Sequence, residues 1–455
     1  MEILMNENEK TLTNELTEGP IGKQLLKFFF PIMFGTFFQQ LYNTIDAIVV
    51  GRFVSSDALA AVGGSSGMIV NLIVGFFVGL TAGASVIVSQ FFGSGDRKKV
   101  SKSIHTIYAF SVIGSIFISI IGYLSAPALL VMMKTPADIY DDSLLYLRVF
   151  LVGIVFVFIY NTGSSLLRAL GDSKRPLIYL IVCCIINIVL DILFVVVFRL
   201  GVLGVAVATL IAQAVSSALV TIALLHSPDL CDFSLREIRI DWDTLKTQLY
   251  IGFPGGIQSS MYALSNLILQ TSVNSIGTDA VAAWTAMAKM DAIYWMIGGS
   301  LGTAITTFVG QNYGAGKMDR VKRSGRIGLG MYFAFETVVI AILLGFQRPL
   351  FGIFTDNAVV IDIACSSFSI MAPFYILFGF IEIYSCALRG IGDVVLPTIM
   401  TMLGICGFRV IWALFVVPLA PSMELISWSY PISWAMTSTC FIIYYRHKIK
   451  GLSQS

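Results

Sequence analysis

The feature that most constrains this chain is a succession of twelve apolar runs. They lie at roughly 24–51, 65–92, 104–132, 143–168, 176–198, 201–225, 246–275, 285–312, 326–353, 361–388, 395–418 and 425–446. Each is long enough to cross about 30 Å of hydrocarbon as a helix rising about 1.5 Å per residue. Helices are expected because a lipid-exposed chain must satisfy its backbone polar groups internally, and continuous apolar runs lack the alternation of a membrane barrel. Only 12% of the 455 residues are charged and 56% are hydrophobic, against roughly a quarter charged in a soluble domain. A soluble enzyme is therefore excluded. Residues 1 to 19 are polar and carry neither an apolar signal core nor a small-residue cleavage site, so they read as a tail.

Charge sets the expected topology. With the N-terminus in the cytoplasm, 22 of the 29 Lys and Arg fall on that side, as the positive-inside rule requires. Those left outside or within helices are Arg52, Lys134, Arg148, Arg199, Lys289, Arg348 and Arg409. An even number of spans with both termini cytoplasmic follows. A net charge of +2 gives no broad basic surface for nucleic acid. The seven cysteines lie mostly in apolar runs, Cys183 and Cys184 side by side, and read as small apolar fillers. His105, His226 and His447 have no Cys or His at metal-ligand spacing, and no Ser, Cys or His constellation at membrane depth suggests catalysis. A membrane protein without enzymatic activity or cofactor is expected.

The two halves of the chain are copies. Gln90-Phe-Phe-Gly93-Ser-Gly95 returns after 221 residues as Gln311-Asn-Tyr-Gly314-Ala-Gly316, and Arg168-Ala-Leu-Gly171-Asp172 as Arg389-Gly-Ile-Gly392-Asp393. Asp57-Ala-Leu-Ala-Ala returns as Asp279-Ala-Val-Ala-Ala, and Pro31 as Pro254. Six helices per copy keep the same orientation. The expected fold is thus all-α, with twelve transmembrane helices in two six-helix bundles related by a pseudo-two-fold axis along the membrane normal. The expected divisions are a tail at 1–23, bundles at 24–225 and 246–446, a cytoplasmic linker at 226–245 with one amphipathic turn, and a second tail at 447–455. Two duplicated bundles without a soluble domain are the pattern of a secondary transporter rather than a pump or a channel. The loop Gly314-Ala-Gly316-Lys317-Met318 lacks the spacing and the hydroxyl of a phosphate loop.

Ionisable groups inside such runs cost about 2.5 to 3.5 kcal/mol each on insertion scales, so each asks for a reason. Asp46, Asp191, Glu336 and Glu382 stand out. Asp46 lies six residues before Arg52 and Asp191 eight before Arg199, which sets both roughly 9 to 12 Å below the outer surface. Thr209 enters from Gly201 to a similar depth. Tyr42 shares a helix face with Asp46, and Asn187 with Asp191. These side chains can converge on one polar pocket in the first bundle. Each alone reads as an interhelical hydrogen bond; together they read as a site for a coupling ion. A carboxylic acid removed from water holds a proton that it exchanges when the pocket is wetted, and carboxylates with amide and hydroxyl oxygens also suit sodium. The residues alone fit both ions.

These features resemble the multidrug and toxic compound extrusion (MATE) family, and within it a bacterial DNA-damage-inducible branch. The resemblance covers all twelve spans. It rests on Pro31 fifteen residues ahead of Asp46, the Asn187-x-x-x-Asp191 pair, Thr209, the paired Gln-x-x-Gly-x-Gly loops and the paired Arg-x-x-Gly-Asp turns. It implies two lobes, a location in the bacterial plasma (inner) membrane, and antiport of protons or sodium against amphiphilic, often cationic, drugs. By position it places an ion-coupling site on Asp46, Asn187, Asp191 and Thr209, with Tyr146 and Asn161 as further polar groups. Asn161 lies about 10 Å from the cytoplasmic surface, counted from Arg168. Another branch carries acidic ligands in the seventh and tenth helices. Here the seventh segment has none, and Glu382 sits only seven residues before Arg389. Glu336 and Glu382 are equally open to a structural role and to substrate contact.

The remaining features have plainer readings. Gly75-x-x-x-Gly79-x-x-x-Gly83 reads as a close helix packing face. Most Phe, Tyr and Met face lipid or core, and some can line a cavity tolerant of many shapes. Pro31 is either a static bend or a hinge on the helix of Asp46. The expected function is proton or sodium exchange for amphiphilic compounds by alternating access in a monomer. A flippase for a lipid-linked precursor is the alternative, with Arg148 and Arg409 as its only candidate anion contacts.

Overall fold

The computed structural model describes residues 15–228 and 230–451. Most of the first expected tail and the last four residues of the second lie outside them. Among the described residues there is no strand. The long helices are α1 (Ile21–Phe53), α2 (Ser65–Gly93), α3 (Arg97–Met132), α4 (Ala137–Ala169), α5 (Lys174–Asp191) and α6 (Gly201–Leu225), then α7 (Trp242–Ile276), α8 (Thr278–Gly314) and α9 (Met318–Gly345). The tenth, α10, runs as Ala358–Met371 and Tyr375–Gly390 around a tight turn at Ala372–Phe374, where Pro373 removes a backbone donor. The eleventh, α11, starts at Val395–Thr401 and continues through wide π turns at Met402–Gly407 and Trp412–Val416. The chain closes with α12 (Met423–Gly451). These helices cover the twelve expected runs, within a few residues at most ends, and among the described residues nine of them, all but α1, α7 and α12, are long and apolar enough to cross a membrane.

The repeated sequence motifs are helix stops. Gly95, Gly171, Gly316 and Gly392 have φ of 75°, 91°, 71° and 88°, a left-handed conformation in which a β-carbon is penalised. At each stop two hydrogen bonds close the helix end. Gly95 N–H reaches Phe92 O and Asp96 N–H reaches Phe91 O; in the second copy Gly316 N–H reaches Tyr313 O and Lys317 N–H reaches Asn312 O. The Arg-x-x-Gly-Asp turns repeat the pattern, with Asp172 N–H on Leu167 O and Asp393 N–H on Leu388 O. This is the glycine-terminated Schellman arrangement. The aspartates after it have diverged: Asp172 accepts from the Lys174 and Arg175 backbones at 3.0 and 3.1 Å, whereas Asp393 binds Tyr444 at 2.6 Å and Lys448 at 2.8 Å.

The chain forms two compact units. The first runs from Phe30 to Gly256; the second comprises Leu16–Phe29 and the chain from Ile257 onward. The boundaries fall inside α1 and α7, beside Pro31 and Pro254. In the first unit α2 crosses α7 at backbone contact. A β-carbon on Gly79 or Gly83 would run into the main chain of Gly256 and Gly252, so the expected small-residue face is real at these two positions. Phe77 and Phe158 stack at 3.5 Å in a core with Leu147, Leu151 and Ile154. In the second unit the core is aromatic, with Tyr294, Tyr332, Tyr375 and Trp434 among its largest fully buried side chains. The described end of the N-terminal tail also packs there: Leu16 O accepts from Asn312 Nδ2 and Arg320 Nη2 at 3.2 and 3.0 Å.

The linker is fastened to α3. Arg97 donates to Pro228 O at 2.6 Å and Ser101 to Asp232 O at 2.6 Å. His105 Nε2 lies 3.1 Å from both the backbone nitrogen and the carbonyl oxygen of Ser234, while Nδ1 lies 2.8 Å from Ser101 O. A single 3-10 turn, Leu235–Glu237, precedes Asp241, whose carboxylate binds Lys102 at 2.9 Å and the Thr244 hydroxyl at 2.7 Å.

Two predictions follow from this packing. Gly83→Ala overpacks the α2–α7 crossing and costs about 1 to 3 kcal/mol, read as a lowered melting temperature in detergent; Gly114→Ala, where nothing lies within 4 Å of an added β-carbon, leaves it unchanged. The Thr244 and Lys102 partners hold the Asp241 carboxyl down to about 2. Its contribution is therefore present above the ordinary carboxylate range and is lost only as pH falls through about 2. Hydrogen exchange of residues 230–241 stays slow from neutral pH to about 3 in the wild type, and Asp241→Asn is faster throughout that range.

Candidate ion-coupling site

The first unit gathers most of the polar residues expected to converge. Asp46 from α1 and Asp191 from the end of α5 lie within electrostatic range of each other. Asn187 and Asp191 are 1% and 0% exposed. Asn187 Nδ2 donates to Thr209 Oγ1 on α6 at 3.5 Å. Tyr42 lies within electrostatic range of Asp46, and Tyr146 of both acids. The polarity is incompletely answered: Asp46 Oδ1, both Asp191 oxygens and Asn187 Oδ1 have no hydrogen-bond donor. Buried acceptors in that condition call for a proton, a cation or water.

Local structure explains how the acids meet. Asp191 is the last residue of regular α5, and the next six, Ile192–Val197, form a π turn, an insertion common where a helix must re-aim a side chain. Beyond the acids, toward the chain ends marked by Arg52 and Arg199, Val49 and Val50 of α1 pack with Val195, Val202 and Val205. This valine cluster closes one side of the pocket with apolar surface. On the other side Asp46 comes within electrostatic range of Cys183, one helical turn before Asn187.

Some expectations need correction or extension. Asn161 is not joined to the pair; its Nδ2 donates to Val157 O on its own helix at 2.8 Å, the back-bond typical of a polar side chain inside a helix. Cys183, read from the sequence as a filler, is buried but also borders the acid pair. Its only signal was the four-residue spacing Cys183, Asn187, Asp191 along one face. In the second unit sequence reasoning passed over Asp291. It lies inside the run 285–312 and accepts the Tyr375 hydroxyl; an inventory of every acid in each run would have found it. Glu382 is close to Cys386, 3.6 Å from its Sγ. Arg409, one of the two expected anion contacts, is 3% exposed and lies 3.7 Å over Tyr430, with Nε donating to Ser433 at 3.3 Å. Arg148 sits over Tyr123 at 4.8 Å. Both guanidinium groups thus lie over aromatic faces, and Arg148 Nε and Arg409 Nη2 are buried without a hydrogen-bond partner.

Twelve long helices in duplicated order, with Asp191 buried and Asp46 half-buried between three of them, define a membrane transporter. Comparison with known proteins gives the family. The MatE family model matches residues 31–193 and 254–415, one match in each copy, and the chain belongs to this family of multidrug efflux transporters. It is 28% identical over 448 residues to the probable multidrug resistance protein YoeA of Bacillus subtilis, covering 96% of both chains. It is 32% identical to the probable multidrug resistance protein YpnP of the same organism, over 68% of each. It is also 25% identical to a FAD transporter of Shewanella oneidensis, over 82% of this chain and 83% of that one. Among solved structures, an outward-facing multidrug resistance MATE transporter superposes with a TM-score of 0.89 at 23% identity, over 97% of this chain and 98% of that one. A MATE structure in a bent conformation gives 0.90 over the same shares.

The Asn187–Thr209 bond yields a prediction. Single interhelical hydrogen bonds in membranes contribute about 0.6 to 1.7 kcal/mol. Asn187→Ala and Thr209→Val should each lower stability by that order, and the double variant by no more than the larger single effect, as measured by a double-mutant cycle of thermal unfolding.

Proposed function

We propose that this transporter exchanges protons, or sodium, for amphiphilic cationic organic compounds by alternating access, with Asp46 and Asp191 as the ion-coupling pair. The observation that supports it is the proximity of two carboxyls, three of whose four oxygens are buried with no donor. Asn187, Thr209, Tyr42 and Tyr146 supply the neutral oxygens and hydroxyls around them. On this reading the protein is a multi-pass component of the bacterial inner membrane, with both termini cytoplasmic as the distribution of Lys and Arg suggests. It acts as a monomer.

The chemistry of the step is electrostatic. Two unit negative charges about 4 Å apart repel by about 4 kcal/mol at an effective dielectric near 20. A proton shared by the pair, or a sodium ion between them, removes that repulsion and lets α1 lie against α5. Losing the cation drives the two helices apart. Pro31, fifteen residues before Asp46 on the same helix, is the natural place for α1 to yield, because its ring removes one backbone bond. Entry of one proton down 100 mV releases about 2.3 kcal/mol, and one pH unit adds about 1.4. Together these sustain a several-hundred-fold gradient of a singly exchanged compound. The cationic cargo is suited by the same acids once they are ionised, so ion and cargo compete. Glu336 and Glu382 are the second-unit acids open to cargo contact.

The test is export of a labelled cationic dye from proteoliposomes under imposed proton or sodium gradients, with a labelled lipid in parallel. Asp46→Asn and Asp191→Asn, at unchanged protein level, should each reduce dye export at least tenfold. Undiminished export by both single variants would overturn the assignment of the pair. Movement of the lipid rather than the dye would replace the antiporter by the flippase.

A further inference from the structure

The second unit contains an acid that the Asp46–Asp191 pair does not explain. Glu336, in the middle of α9, is 0% exposed, and neither carboxyl oxygen has a hydrogen-bond partner. Among the described residues no cation pairs with it. Its neighbours are phenols: Tyr332 one turn earlier on α9, Tyr294 on α8 and Tyr375 at the restart of α10 all lie within electrostatic range. From the N-terminal half of α1, Phe29 stacks on Phe335 at 5.3 Å and brings no ionisable group. Glu382 reaches Tyr332 only through space. Arg409 is engaged elsewhere, over Tyr430 and Trp434 at 3.7 and 5.5 Å.

The phenols have already spent their protons. Tyr332 OH donates to Tyr294 Oη at 2.7 Å and also approaches Tyr375 O at 3.3 Å; Tyr294 OH donates to the same carbonyl at 3.4 Å; Tyr375 OH donates to Asp291. What Tyr332 and Tyr294 can offer Glu336 is lone pairs. A carboxylic acid, which carries its own O–H, can use them; a carboxylate cannot. For Glu336 to ionise, Tyr332 must turn its hydroxyl from Tyr294 and the Tyr375 carbonyl toward the carboxylate. That carbonyl begins the second half of α10, immediately after the turn at Ala372–Phe374.

We propose that Glu336 is an exchangeable-proton site of the second unit, separate from the Asp46–Asp191 pair. With the proton on, Tyr332 and Tyr294 tie α8 and α9 to the restart of α10. With the proton off, Tyr332 serves the carboxylate and α10 is released at its break. Asp291, half-buried, accepts the Tyr375 hydroxyl at the far end of the tyrosine cluster.

The test reads carboxyl protonation directly. Infrared difference spectra between high and low pH are recorded on the full chain in lipid, in an Asp46→Asn, Asp191→Asn background, so that failure of the first site leaves this measurement intact. A carboxylic-acid C=O band that titrates, shifts in deuterium oxide and disappears in Glu336→Gln is the expected result. Tyr332→Phe, which keeps the acid and removes one phenol proton, moves the midpoint of that band; it also serves if Glu336→Gln fails to fold. A difference spectrum from which Glu336→Gln removes no titrating carboxylic-acid band overturns the proposal. So does loss of sodium binding in Glu336→Gln with proton uptake unchanged.

Discussion

A carboxyl group inside a helical bundle needs something to answer its charge, and in both units of this chain the answer is left incomplete. Between α1 and α5 two acids face one another with too few donors. On α9 a single acid is surrounded by hydroxyls whose protons point away. Such arrangements are poor at stability and good at responsiveness, because a small cation arriving or leaving changes which packing is favoured. The rest of the fold serves to keep these groups dry. Valines pack beyond the first pair, and aromatic rings fill the core around Glu336.

Duplication gave the chain two equivalent scaffolds, and the two have since specialised. The π turn that follows Asp191 has a counterpart at Trp412–Val416 in α11, displaced by the repeat offset. In the first copy that irregularity presents an acid to α1. In the second, the nearby ionisable group is Arg409, set against Tyr430. The same backbone device therefore carries opposite charge in the two copies, and the acids of the second unit come from α8, α9 and α10 instead.

Much of this was legible in the sequence, for physical reasons. Hydrocarbon thickness dictates segment length, so the twelve helices could be read directly; depth counted from Arg52 and Arg199 placed Asp46 and Asp191 at one level, and they do meet. Thr209 was found by the same counting, and Asn187 by sharing a helix face with Asp191. What resisted reading was direction. Asn161, which the resemblance alone supplied and which counting sets nearer the cytoplasmic surface than the acids, turns back on its own helix, because a mid-helix amide can satisfy itself on a carbonyl one turn away. Cys183 has no polarity that marks it, yet its face is that of Asn187 and Asp191. The tyrosine cluster was invisible, since Tyr294, Tyr332 and Tyr375 are far apart along the chain and phenols are common in apolar runs. The break in α10 could be located from Pro373, but not the use made of it.

The four glycine stops bear on how such a chain is made. Each closes with bonds among residues no more than five apart, so none waits for a partner from elsewhere in the sequence. A segment leaving the ribosome can define where its rod ends before its neighbours exist. Insertion then delivers pieces of set length to the bilayer, and only lateral association remains. Errors at these positions would thus be felt in biogenesis, as slipped or overlong rods, ahead of any defect in the finished carrier.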